Sequence, residues 1–173
     1  MQKKHQISSS SIFSDASTNP PLFAKPAKPA EPNLQATTIP LETAIVYCEG
    51  HFGGIYGKTA NGLVRHSEKY KILSIIDDNK EGQDAGEILD GVPNGVPVYR
   101  DLGTALAHAG RRPKNLIFGI TPATGELSLT ERRLLLRAIK YGINIVTRLH
   151  QSLSGDPEFA AACSEFGVVI RDV

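Results

Sequence analysis

The sequence has no tryptophan, a single methionine and only two cysteines among its 173 residues. Cys48 and Cys163 lie far apart and form neither a C-x-x-C pair nor a cluster with metal-ligand spacing. Both fall in apolar stretches, so we expect small buried side chains there and a reducing, cytoplasmic compartment. Neither a Cys/His nor a Ser/His/Asp nucleophile has local support, and we predict no metal site.

A long hydrophobic run and an excess of one charge are also missing. No stretch approaches the roughly 20 apolar residues of a membrane-spanning helix, so we expect a soluble protein without a membrane partner. The formal net charge is +1, without the clustered Lys and Arg that neutralise phosphates, which argues against nucleic acid as a partner. The length suits one ordinary domain, for which about 100 to 200 residues is usual.

Residues 1–41 differ in composition from the rest. They contain the serine run 8–11, Pro20-Pro21 and two Lys-Pro-Ala repeats at 25–30. A polar, proline-rich stretch buries too little surface to offset its ordering entropy, so we predict a disordered tail, with a proline-rich docking peptide as the alternative. The folded domain is then expected over residues 42–173.

From residue 43 onward, short β-branched runs alternate with helical patterns. Near-continuous apolar runs of this length are typical of strands that are buried on both faces of a parallel sheet. The predicted strands are 44–48, 72–76, 96–99, 116–120, 143–147 and 168–170.

Helix start and stop signals lie between these runs. Asp101 and Gly110 bracket one helix, Ser128 and Glu131 form a capping box before a helix that stops at Gly142, and Asp156-Pro157 opens a helix that Gly167 ends. Strand alternating with helix predicts an α/β fold with a doubly wound, mostly parallel, Rossmann-like sheet.

The stretch GHFGGIYGKTANG, residues 50–62, follows the first predicted strand. A phosphate-binding P-loop and a G-x-G-x-x-G dinucleotide fingerprint would both need glycine where Phe52 stands. Asp77 ends the second predicted strand 20 residues after Gly57, the spacing of the acid that binds ribose hydroxyls in the dinucleotide fold. This favours a Rossmann-like loop. In the alternative interpretation the glycines form a wide turn, Lys58 is solvated and Asp77 caps a turn.

Other polar residues follow later strands and are expected at the same edge of the sheet, where ligands bind in open parallel sheets. Thr121 follows the fourth run, and Thr147, Arg148 and His150 follow the fifth, although a lone His is more often a loop residue than a ligand. No catalytic residue is assigned. The predicted ligand-binding residues are Gly53, Gly54, Lys58, Thr59, Asn61, Asp77, Thr121 and His150.

Several of these stretches together resemble one family. They are Phe52-Gly53 with 58–66, Ile75-Ile76-Asp77, 119–123, Leu149-His150, Gly167-Val168 and 171–173. In order and spacing they resemble the N-terminal domain of the DUF1611 family, whose members include D-glutamate N-acetyltransferase-like proteins. The resemblance implies a Rossmann-like domain that precedes a second, P-loop domain in the family, with acetyl-CoA as a possible cofactor. Thr121 and Thr124 depart from the family pattern, which tends to have Ala and a second Gly there. Arg148 also departs from it, because Gly is usual at that position.

The resulting function hypothesis is a ligand-binding Rossmann-like domain, not catalytic alone, that takes a small anionic metabolite or a nucleotide-containing cofactor. Lys58 at a helix start would supply charge-assisted bonds, and we expect Lys58→Ala to weaken binding far more than Gly57→Ala. The alternative is an interaction module that pairs with itself or with a separate P-loop chain. A fragment of an NAD-dependent oxidoreductase is a third possibility.

Overall fold

A computed structural model describes residues 40–122, 125–150 and 152–173 of the chain. Residues 1–39 of the predicted tail, and Thr124, lie outside the described residues. The strands are β1 (Glu42–Tyr47), β2 (Tyr70–Ile76), β3 (Val98–Tyr99), β4 (Asn115–Phe118), β5 (Asn144–Thr147) and β6 (Ile170–Asp172). The helices are α1 (Lys58–His66), α2 (Ala85–Asp90), α3 (Leu102–His108), α4 (Leu129–Lys140) and α5 (Pro157–Phe166), with a short 3-10 helix at Asp78–Lys80.

The six strands form one sheet in the order β3-β2-β1-β4-β5-β6, and every neighbouring pair is parallel. This is the strand order of the dinucleotide-binding fold, in which the direction of winding reverses between β1 and β4. With right-handed crossovers, α1 and α2 lie on one face of the sheet and α3, α4 and α5 on the other. The predicted doubly wound Rossmann-like α/β fold is confirmed.

The predicted caps explain where three helices begin. The Asp101 carboxylate accepts the amide of Thr104 at 2.8 Å at the start of α3. Ser128 and Glu131 form the reciprocal capping box before α4. Asp156 caps α5, and Gly167 ends it in the left-handed conformation with φ of 64°. Each side-chain oxygen satisfies amides that have no partner within the helix.

The core lies on both faces of the central strands. Ile45 and Val46 of β1 are fully buried, as are Ile75 of β2 and Leu116 of β4. Gly119 lets α1 approach this core closely, because a Cβ there would lie 2.7 Å from Val46 Cγ1 and 3.0 Å from Ala60 Cβ. The first helix is therefore held tightly over the junction of β1 and β4.

Two local features differ from expectation. Helix α2, which Asp84 caps, was not predicted from the sequence. Cys48 is buried as expected, but Cys163 on α5 is only partly buried. Within the described ranges, no helix is long and apolar enough to cross a membrane.

Candidate functional site

The loop between β1 and α1 folds back on itself through its own backbone. The amide of His51 donates to the Cys48 carbonyl at 3.0 Å, that of Gly54 to the His51 carbonyl at 2.9 Å and that of Gly57 to the Gly54 carbonyl at 3.3 Å. The Phe52 side chain is buried in the core, which anchors the loop at its centre. The loop is thus a series of tight turns rather than an open arch.

Asp77 binds this loop from the end of β2. Its two carboxylate oxygens accept the amides of Gly50 at 3.1 Å, Phe52 at 3.0 Å and Asn79 at 3.1 Å, and the residue is fully buried. The Asn79 bond also caps the 3-10 helix that follows. Asp77 therefore fixes the loop and caps a turn. Ligand binding by Asp77 stays a prediction.

Asn61 holds the other half of the loop from the first turns of α1. Its Oδ1 accepts the Gly53 amide at 3.0 Å, and its Nδ2 donates to the Gly54 carbonyl at 3.0 Å. Gly57 completes the closure, because a Cβ there would lie 2.3 Å from the His51 carbonyl oxygen. Gly53 and Gly54 line a shallow cavity of about 360 Å³ beside Lys80.

A different cavity runs along α1. Its volume is about 440 Å³, and its lining consists of Lys58, Thr59, Gly62, Leu63, His66, Ser67 and Arg148. The first turn of α1 has no side-chain cap and no acidic residue. Its leading amides and the positive end of its dipole thus lie at the same end of the cavity as Lys58.

Both cations at this cavity are unneutralised. Lys58 and Arg148 are exposed, and among the described residues neither takes part in an ion pair. Arg148 follows β5 directly and approaches α1 from the neighbouring strands. The arrangement can offer charge-assisted hydrogen bonds from two sides to a carboxylate or a phosphate.

The crevice at the switch point between β1 and β4 has the opposite charge. It measures about 450 Å³ and is lined by His51, Ile120, Pro122, Glu126, Leu127, Ser128 and Glu131. Tyr47, at the end of β1, has a raised pKa because it is buried and close to Glu131 and Glu49. Burial and the charges of Asp77 and Asp78 also raise the pKa of Glu49. An anion is disfavoured here.

The eight predicted residues do not converge on one place. Lys58 and Thr59 share the α1 cavity, whereas Asn61 and Asp77 hold the loop that contains Gly53 and Gly54. Thr121 is exposed beside the switch-point crevice, and His150 is exposed beyond Arg148.

Arg148 and His66 line the α1 cavity but are missing from the predicted set. The available signal for Arg148 was its position directly after a strand, at the edge where parallel sheets bind ligands. His66 carried no such signal, because it lies in the last turn of a helix.

Together, the strand order, the tight β1–α1 turn and the closely packed first helix define a Rossmann-like α/β domain. The family profile described as "Domain of unknown function (DUF1611_N) Rossmann-like domain" matches residues 78–173, more than half of the chain. The chain belongs to this family. No curated protein gives a significant match.

A solved structure of the same family agrees with this assignment. A DUF1611 family protein from Anabaena variabilis ATCC 29413 is similar with a TM-score of 0.67 and 30% sequence identity. The match covers 76% of this chain and 36% of that protein, so this chain spans about a third of its relative's length. Homoserine dehydrogenase from Thermoplasma acidophilum has a TM-score of 0.49 and 14% identity, over 77% of this chain and 43% of that one. We draw no functional argument from the second similarity.

Proposed function

We propose that this domain binds a small anionic ligand in the cavity along α1. The observation that carries the proposal is that Lys58 and Arg148 line one cavity, beside a helix start without a side-chain cap. Hydrogen bonds to charged groups contribute about 1.5–3 kcal/mol each, and a helix N-terminus adds about 0.3–1 kcal/mol. Together these contributions amount to about 3–7 kcal/mol, which corresponds to Kd values from a few millimolar down to about 10 μM for a compact anion.

The charge distribution supports this cavity over the switch-point crevice. Glu126 and Glu131, two acidic residues, line the crevice. An incoming carboxylate or phosphate meets like charge there, whereas it meets uncompensated positive charge beside Lys58. Thr59 supplies a hydroxyl that can orient the bound group.

The family resemblance suggests which anion to try first. The name of the D-glutamate N-acetyltransferase-like proteins implies an amino-dicarboxylate as substrate and acetyl-CoA as acetyl donor. A dicarboxylate suits a cavity that two cations line, so D-glutamate is our first candidate and acetyl-CoA the second. We assign no catalytic residue, and we propose that the domain alone does not transfer acetyl groups. The unpaired cysteines support a cytoplasmic location as part of the same proposal.

Isothermal titration calorimetry with D-glutamate, acetyl-CoA and NAD tests the proposal. We expect saturable binding of at least one of the first two, and an increase in Kd of about tenfold in Lys58→Ala and in Arg148→Ala. Arg133→Ala is the matched control, because it removes an exposed cation from α4, away from the cavity. No heat from any ligand at high protein concentration, or equal losses in all three variants, would contradict the proposal.

A second candidate function is an interaction module. Val169 precedes β6 at the edge of the sheet and is 50% exposed. The register of β6 with β5 places this side chain on the face that carries α1. Because parallel sheets are usually covered on both faces, a second copy or a separate P-loop chain could pack there. Light scattering distinguishes the two functions: a strict monomer that recruits no P-loop chain counts against the module.

A further inference from the structure

The strand order is that of the dinucleotide-binding fold, which implies two groups that would hold such a cofactor in this chain. In the dinucleotide-binding fold, backbone amides of the first turn and the N-terminus of the first helix bind the pyrophosphate. An acidic side chain at the end of β2 binds the ribose hydroxyls. This chain has the strand order, the helix and the acid, with Asp77 at the expected place.

Six amides of the β1–α1 loop already have partners within the chain. Their acceptors are Asp77 for Gly50 and Phe52, Asn61 for Gly53, and backbone carbonyls for His51, Gly54 and Gly57. A pyrophosphate would have to displace these bonds. Each displaced bond to a carboxylate costs about 1.5–3 kcal/mol, and the buried carboxylate would then lose its partners as well.

We propose that the β1–α1 loop is an internally ligated turn, in which Asp77 and Asn61 accept loop amides, so that the domain does not bind a dinucleotide there. Asp77 thus acts as a positioning residue that holds the loop closed from the end of β2. The inference concerns the loop alone and holds whether or not the α1 cavity binds an anion.

The burial of Asp77 supports this assignment independently of its hydrogen bonds. The residue is 0% exposed, and its bonds join both of its oxygens to the loop and to Asn79. A ribose could reach this carboxylate only after the loop had opened. A residue whose role was to bind ribose would keep at least one oxygen accessible.

Gly57 gives a third observation. In the dinucleotide fingerprint a glycine without Cβ allows the backbone to approach the pyrophosphate. Here the space of that Cβ is filled by the chain's own His51 carbonyl oxygen at 2.3 Å and by the Cys48 sulfur at 3.0 Å. The missing side chain at Gly57 thus allows the loop to close on itself. A fragment of an NAD-dependent oxidoreductase is therefore disfavoured by the loop itself.

Hydrogen exchange and ligand titration of the wild-type domain, both followed by amide NMR, test the inference without any substitution. We expect the amides of Gly50, Phe52 and Gly53 to exchange at least tenfold more slowly than unstructured amides. We also expect no shift of these signals with ADP-ribose or NAD at millimolar concentration. A saturable shift of these three amides with ADP-ribose, or exchange at the unstructured rate, would overturn the proposal.

The variant Asp77→Asn tests the role of the carboxylate. An amide side chain presents a donor to one of the two loop amides, so exchange of Gly50 and Phe52 should accelerate by about tenfold or more. Asp78→Asn makes the same change one residue on, at an exposed position, and should leave these rates unchanged. Equal rates in the two variants would refute the role assigned to Asp77. If Asp77→Asn does not fold, the wild-type measurements still decide the proposal.

Discussion

Replacing Gly57 by Ala should destabilise the domain, whereas replacing Gly62 by Ala should stabilise it. The two glycines lie five residues apart, at the start and in the middle of α1. At Gly57 an added Cβ would lie 2.3 Å from the His51 carbonyl oxygen, and real contacts of this kind are about 1 Å longer. At Gly62 no atom lies within 4 Å of the added Cβ.

These distances set the expected magnitudes. Relieving the overlap at Gly57 requires the loop backbone to move, and such overpacking costs about 1–3 kcal/mol. At Gly62 the new methyl group meets solvent, and Ala is favoured over Gly inside a helix by about 1 kcal/mol. The melting temperatures should therefore fall by roughly 3–9 °C for Gly57→Ala and rise by roughly 3 °C for Gly62→Ala.

Thermal and urea unfolding, followed by circular dichroism, measure both effects on the same scale. Shifts of the same sign would refute the description of the loop as a closed turn. The expectation that Lys58→Ala weakens binding far more than Gly57→Ala stays a prediction. Gly57→Ala is a poor control for it, because a variant that opens the loop would also change the start of α1. Binding comparisons should therefore pair Lys58→Ala with Arg148→Ala.

Two further predictions concern the helix caps and the base of the sheet. Ser128→Ala removes a capping box and should cost about 1 kcal/mol in urea unfolding, whereas Thr130→Ala, at an exposed position in the same turn, should cost less than half as much. Lys114, Arg171 and Asn115 lower the pKa of Glu42 from 4.5 to about 2. The stabilisation that these bonds provide is complete at pH values above 4.5, the ordinary pKa of a glutamate, and is lost as the pH falls towards 2. Glu42→Gln should flatten the decline of stability in that window, and an unchanged decline would refute this role.

Most of the fold could be predicted from the sequence because its signals are local. Asp101, Ser128 and Asp156 each cap a helix within three residues of their own position, and the apolar runs mark the buried strands. Helix α2 was missed because it is short and lacks a clear apolar stripe. The first apolar run leads into the β1–α1 loop, and the second ends at Asp77. This spacing correctly placed the loop in a Rossmann-like sheet.

The site was harder to predict because it depends on the direction of side chains. Spacing places Asp77 at the end of β2, but it does not say whether the carboxylate faces a ligand or turns back to the Gly50 and Phe52 amides. The partnership of Lys58 with Arg148 brings together residues that are 90 positions apart in the sequence. Only the folded strand order brings the end of β5 to α1.

An NMR titration of the wild-type domain with inorganic phosphate tests the central claim most directly. If the anion site lies along α1, the amides of Lys58, Thr59 and Arg148 shift saturably, while those of Gly50 and Phe52 stay unchanged. Saturable shifts confined to Gly50 and Phe52 would place the anion in the loop and contradict the account.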